Sequence, residues 1–155
     1  MKNFYDYQTP FCKIYIEAEG DYITRISFFE IIGKRCETPV IKDAFRQLEE
    51  YFCGRRKVFD LPLKLDGTPF QKSVWKALIK IPYGKTASYL DIAESIGNKN
   101  ACRAVGMANN RNKIAIVIPC HRVIGKNGSL TGYAGGLDVK ERLLELEKGF
   151  LSNYD

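Results

Sequence analysis

At 155 residues, 45% of them hydrophobic and 27% charged, with a net charge of +6, the chain can fill one average domain or two small ones. No apolar run reaches the roughly eighteen residues that span a bilayer, and no charged-then-apolar leader opens the chain. A cytoplasmic protein, nuclear in a eukaryote, is therefore expected, with no membrane partner. Five cysteines, at 12, 36, 53, 102 and 120, include no C-x-x-C pair, and a single histidine accompanies them. That argues against a disulfide framework and against a zinc site, so neither metal nor cofactor is expected.

The stretches FCKIYIEAE and YITRISFF are rich in β-branched and aromatic residues and flank Gly20-Asp21, which predicts an antiparallel hairpin. PVIKDAFRQLEEYFCG then sets Val40, Ala44, Leu48 and Phe52 at helical spacing and stops at Gly54. KVFDLPL reads as a short strand rejoining the sheet. Residues 1–62 are thus expected to form a small α+β domain, with residues 63–68 as linker and residues 69–155 as a second domain.

Thr68-Pro69 predicts an N-cap with proline at the first helical position, and Phe70, Val74, Trp75, Leu78 and Ile79 form the apolar stripe of the helix it opens. Ser88 and Asp91 predict a capping box for the helix SYLDIAES, closed by Gly97. A third helix, NKNACRAVGMAN, follows at once, and the pair reads as a helix-turn-helix. Charge supports this. Residues 1–66 carry eleven basic and eleven acidic side chains, whereas residues 69–137 carry ten Lys or Arg against Asp91 and Glu94 alone, a net of +8. That half has the electrostatic footprint of a polyanion binder, although a charge excess by itself also describes an ordinary solvated surface. The third helix offers Ala101, Ala104, Gly106 and Ala108 around Arg103, small residues that allow close backbone approach to a surface or close packing within the fold. Arg103, four residues after Lys99, reads as solvent- or phosphate-facing.

KIAIVIPCHRVI then brings Cys120 out of an apolar run to a turn, where Pro119 breaks regular strand structure. A cysteine so approached is by default a small inert hydrophobe. His121 beside it offers the alternative, because an imidazole can take a thiol proton and stabilise the nucleophilic thiolate. On the last helix, DVKERLLELEKGF, Asp138 and Glu141 predict a capping box, and Val139, Leu143 and Leu146 mark the core side. Glu147 falls on or beside that face. There it either orients a base or reaches solvent.

The stretch RAVGMANNRNKIAIVIPCHRVIGKNGSLTGYAGGLDVKERLLELE resembles the signature region of the O6-alkylguanine-DNA alkyltransferases, also called methylated-DNA-protein-cysteine methyltransferases. DGTPFQKSVWKALIKIPYGKTASYLDIAESIG resembles their helix-turn-helix domain, and YFCGRRKVFDLPL extends the likeness weakly upstream. The resemblance implies an α+β fold: a small N-terminal antiparallel-sheet domain of ribonuclease H-like type, then a mostly helical winged helix-turn-helix domain. It implies a suicidal repair protein that moves the alkyl group of O6-alkylguanine, with O4-alkylthymine as a further candidate substrate, from double-stranded DNA to Cys120, acting as a monomer and largely without sequence preference. Cys120 would be activated through a water by His121, which Glu147 orients. Asn112 would be a hinge between the helix pair and the cysteine turn. Tyr89 would help rotate the nucleotide out, and Arg103 would fill the gap it leaves. The carbonyls of Cys120 and Val123 would take the guanine amino group, with Tyr133 and the backbone N–H of Ala134 completing the base pocket. Asn112-Lys113 replaces the Asn-Pro of many relatives, Ala134 replaces a serine, and the N-terminal half has no histidine for the zinc that some relatives bind. The competing readings are a lesion binder without transfer, a cysteine hydrolase and a transcription regulator. The first lacks the reactive cysteine, the second leaves the basic helix pair unexplained, and the third needs more base-reading side chains.

Overall fold

The computed structural model describes residues 1–128, 130–133 and 135–149. Strands β1 (Lys2–Gln8), β2 (Lys13–Glu19), β3 (Tyr22–Ser27) and β4 (Lys34–Arg35) form a sheet in the order β3-β2-β1-β4, antiparallel except for the β1–β4 edge. The hairpin turns at Gly20, whose φ of +58° is left-handed. A register shift at Glu17/Ala18 places Ile23 opposite Ala18 and Ile26 opposite Ile16. This irregularity lets Ile23 and Ile26, three residues apart, both enter the core.

Helix α1 (Pro39–Phe52) packs on this sheet, and Gly54 follows it at φ +75°. Its buried stripe is Ile41, Ala44, Leu48, Tyr51 and Phe52, whereas Val40 is only half-buried. The expected 40/44/48/52 phase is corrected for a geometric reason: steps of four drift by about 40° each on a helix of 3.6 residues per turn, while alternating steps of three and four stay in line. The correction brings Tyr51 inward. A second correction concerns KVFDLPL, which is no regular strand; it meets the sheet at one parallel bridge, Ile23 to Leu63. Buried Gln47 secures it instead, its amide pairing with both the N–H and the C=O of Asp60 at 2.9 Å.

The second half holds α2 (Pro69–Ile79), α3 (Tyr89–Ser95), α4 (Cys102–Asn110) and α5 (Leu137–Glu147), with a two-residue parallel ladder between β5 (Ala87–Ser88) and β6 (Val123–Ile124). Capping boxes form at Thr68/Gln71 and Ser88/Asp91, each side-chain cap contributing about 1 kcal/mol. Ile79 leaves the expected stripe and is 46% exposed. Helix α4 starts at Cys102, so Lys99 precedes it. The Asp138/Glu141 box does not form: Gly136, at φ +95°, is the N-cap of α5 and Asp138 sits inside the first turn. Trp75 Nε1 donates to the Ala108 carbonyl at 2.9 Å, locking α4 onto α2. One hydrophobic cluster runs through both halves, from Ile14 to Leu146. Among the described residues no helix is long and apolar enough to cross a membrane.

Candidate active site

The segment from Asn112 to Arg122 is a series of tight turns rather than a strand. Its start is tied to β3, where Ile26 N–H donates to Lys113 O at 2.9 Å and Ala115 N–H donates to Ile26 O at 3.0 Å. Val117 N–H then bonds Ala115 O at 2.8 Å, closing a γ-turn with Ile116 at φ +71°. A buried β-branched residue in the left-handed region costs about 1–3 kcal/mol, which the packing of Ile114, Ile116 and Ile118 must offset. Pro119, at φ −81° and ψ 64°, makes the inverse γ-turn, with Cys120 N–H on Ile118 O at 2.8 Å. The Asn112 side chain spans both turns: Nδ2 donates to Ile118 O at 2.8 Å and to Ile114 O at 3.3 Å, and Oδ1 accepts from Ile114 N–H at 3.0 Å. Cys120, His121 and Arg122 follow as one turn of 3-10 helix, from which β6 runs to pair with β5 at the start of α3.

Glu147, at the end of α5, is the hub behind this turn. Its Oε2 accepts from His121 Nε2 and from Tyr51 Oη, both at 2.6 Å, and from Arg122 Nη2 at 3.0 Å. Its Oε1 accepts from Arg122 Nε at 2.8 Å and from Gly84 N–H at 3.2 Å. Gly84 must be glycine, since its φ is +80° and a Cβ there would lie 3.3 Å from the Glu147 carbonyl oxygen. Burial pushes the Glu147 carboxyl up, but the bonds and charges of His121 and Arg122 outweigh it and hold it down to about 2. An ionised carboxylate only accepts, so His121 carries its proton on Nε2 and presents a bare Nδ1, which has no partner among the described residues. Burial holds His121 below the ordinary imidazole range, hence neutral at rest. Burial likewise raises Cys120, with partial relief from the Asn112 amide and the Lys140 charge. The resting pair is a thiol beside a neutral base.

Around it, Lys140 of α5 is fully buried and donates to Val123 O at 2.6 Å and Thr131 O at 3.2 Å. One lone pair of the Val123 carbonyl is therefore occupied. The Tyr133 ring lies 5.7 Å from Phe28, its buried hydroxyl has no protein partner among the described residues, and burial, then the nearby Cys120, raises its ionisation. Ala134 lies outside the described residues. The Tyr89 hydroxyl bonds that of Thr131, while its ring lies against Gly106 of α4. Arg103, Ala104, Met107 and Asn110 form the exposed face of α4, whereas Ala108 is packing. Of the small residues of α4, Ala104 faces outward and Ala108 packs inward.

The 6-O-methylguanine DNA methyltransferase family is matched over most of the chain, its ribonuclease-like domain by residues 4–65 and its DNA-binding domain by residues 69–149. The chain belongs to this family. Among curated members, the methylated-DNA–protein-cysteine methyltransferase of Methanosarcina barkeri is 57% identical over 136 residues, covering 88% of this chain and 78% of the relative. The constitutive enzyme of Bacillus subtilis is 48% identical over 152 residues, covering 91% and 92%. The crystal structure of Mycobacterium tuberculosis OGT in complex with DNA superposes with a TM-score of 0.90 at 43% identity, covering 98% of this chain and 96% of the other. In this member of the family, the fold brings Cys120, His121, Glu147 and Asn112 into one cluster and keeps Arg103 out on the surface of α4.

Sequence reasoning missed Tyr51, Gly84, Arg122 and Lys140. Two signals were available: Lys140 lies seven residues before Glu147, on the same helical face, and Arg122 adjoins His121 on a single turn.

Proposed function

We infer that this chain repairs DNA by taking the alkyl group of O6-alkylguanine onto Cys120 Sγ, as its family membership and the buried Cys-His-Glu constellation together support. His121 Nδ1 receives the thiol proton through a water, and Glu147, held anionic by Arg122, orients the imidazole and stabilises its charged form. The thiolate attacks the alkyl carbon, the C–O6 bond breaks with its electron pair going to guanine, and the base regains a proton. The product is a thioether. It has no carbonyl for water to attack, so each molecule reacts once.

Because the alkyl carbon lies on a base edge inside the stack, the nucleotide must leave the duplex at a cost of a few kcal/mol. Arg103, exposed on α4, takes the vacated space. Tyr89, at the start of α3 with its ring against Gly106 of α4, crowds the phosphate, and the base enters a pocket formed by the Cys120 and Val123 carbonyls, Tyr133 and the N–H of Ala134. The net +8 of residues 69–137 supplies affinity through phosphates and so without sequence preference. The protein acts as a monomer in the cytoplasm, in two domains divided at residues 63–68.

The observation that carries this reading is the 2.6 Å His121–Glu147 bond directly behind Cys120. Incubation with a duplex containing one O6-methylguanine, followed by intact mass and peptide mapping, should add one methyl to Cys120 and none with undamaged DNA. Multiple turnovers, or methylation at another cysteine in the Cys120→Ala protein, would overturn it.

A further inference from the structure

The relay so described comes entirely from the second half of the chain, yet one of its hydrogen bonds comes from α1. Tyr51 Oη donates to Glu147 Oε2 at 2.6 Å, the same oxygen that receives His121 Nε2–H at the same distance. The phenol is fully buried and fixed by the rings of Phe52, Phe59 and Tyr83 around it. Burial and the adjacent carboxylate push its ionisation well above the usual tyrosine range, so it remains a donor across the working pH range.

We propose that Tyr51 is a positioning residue that restrains the relay: its hydroxyl draws charge from Glu147 Oε2 and so weakens the support that this oxygen gives to a protonated His121. The inference rests on the alkyl-transfer reading and deepens it. The groups facing His121 and Glu147 are Cys120 and Arg122 on the 3-10 turn, Lys140 on α5, Tyr51 on α1, Tyr83 before β5 and Tyr133 before α5. Arg122 and Lys140 disfavour an imidazolium directly through their charge. Of the uncharged donors among the described residues, Gly84 N–H binds Oε1, and Tyr51 alone shares the oxygen used by His121. A hydrogen bond to a carboxylate lowers its basicity, and the oxygen that loses charge to Tyr51 has less to offer His121. The N-terminal domain thereby sets how readily Cys120 gives up its proton.

The test is the rate of methyl transfer from an O6-methylguanine duplex as a function of pH, with melting curves alongside. Tyr51→Phe keeps the ring and removes the donor. Its acid limb should move up by roughly half a pH unit, because His121 protonates at higher pH, while transfer on the plateau above that limb becomes about threefold faster as more of the pair is thiolate and imidazolium. Site-specific replacement of Tyr51 by 3-fluorotyrosine keeps the hydroxyl and strengthens it as a donor, so that limb should move down and the plateau should fall. Nitrogen NMR of His121, the sole histidine, should show imidazolium forming at higher pH in Tyr51→Phe. An unmoved limb, or transfer slowed equally at every pH, overturns the proposal, the latter by exposing a purely structural role. If Tyr51→Phe does not fold, the fluorotyrosine protein decides by itself. Failure of the wild-type protein to take up methyl would refute the transfer reading, whereas wild-type transfer with coincident variant profiles refutes this inference alone.

Discussion

Glu147→Gln preserves shape while removing the charge at the centre of the buried network, and its cost can be reached by two routes. Glu147 is 6% exposed, and its oxygens accept from Tyr51 Oη, His121 Nε2, Gly84 N–H and two Arg122 nitrogens. Glutamine offers one oxygen to these donors and turns an NH2 group toward the rest. Whichever way the amide turns, Arg122, 5% exposed, would lose one of its two bonds to residue 147 and the opposite charge, keeping the other bond and that from Nη1 to Ile81 O at 2.7 Å. Removing one partner of a buried pair costs about 3–5 kcal/mol. The second route is linkage. Burial raises the Glu147 carboxyl, but His121 and Arg122 bring it from 4.5 down to about 2, a difference worth about 3 kcal/mol. The sign follows from the depressed value: the stabilisation is complete above the unfolded pKa near 4.5 and disappears as pH falls through about 2. Urea unfolding at neutral pH should therefore show a loss of about 3 kcal/mol, a large share of the roughly 5–15 kcal/mol that holds a domain together. Repeated at decreasing pH, the difference between wild type and variant should shrink between about pH 4.5 and 2, because glutamine mimics the protonated acid; other carboxylates titrate in both proteins and cancel. A gap under about 1 kcal/mol at neutral pH, or one that persists undiminished at the acid end, would refute the reasoning.

Arg103→Ala should slow repair of duplex DNA far more than attack on free O6-benzylguanine, which needs no extrusion; stopped-flow rates falling equally would assign Arg103 to the fold or the chemistry. Binding to undamaged duplex should weaken steeply with salt, since lysines and arginines release counterions, and a flat response by fluorescence anisotropy would remove the phosphate contacts. Methylation of Cys120 should lower the melting midpoint by a few degrees, because overpacking a close-packed site costs about 1–3 kcal/mol and Cys120 sits between two tight turns at 7% exposure. Equal midpoints in calorimetry would show that the pocket takes the group without strain.

The features legible in the sequence are those whose physics is local. Thr68, and Ser88 with Asp91, cap helices within four residues of chain, the Gly20 turn joins adjacent strands, and Cys120 and His121 share one turn because they are neighbours. Glu147 could be placed on or beside the inward face because α5 keeps its apolar phase over a short span, but the choice between core and solvent stayed open. Where local preference competes with packing, the reading failed. Strand β1 lies partly buried on both faces and so lacks a clear alternation. KVFDLPL has strand composition, but Gln47 satisfies Asp60 in place of a ladder. Asp138 and Glu141 have the right spacing, yet Gly136 turns the chain first. Tyr51 is the clearest case. It lies 96 residues from Glu147, and a drift of about 40° per step in the assumed α1 stripe was enough to turn it away from the core. No sequence period encodes such a meeting. It arises only when two halves pack around one hydrophobic cluster and a buried carboxylate, cut off from water, must find every donor within reach.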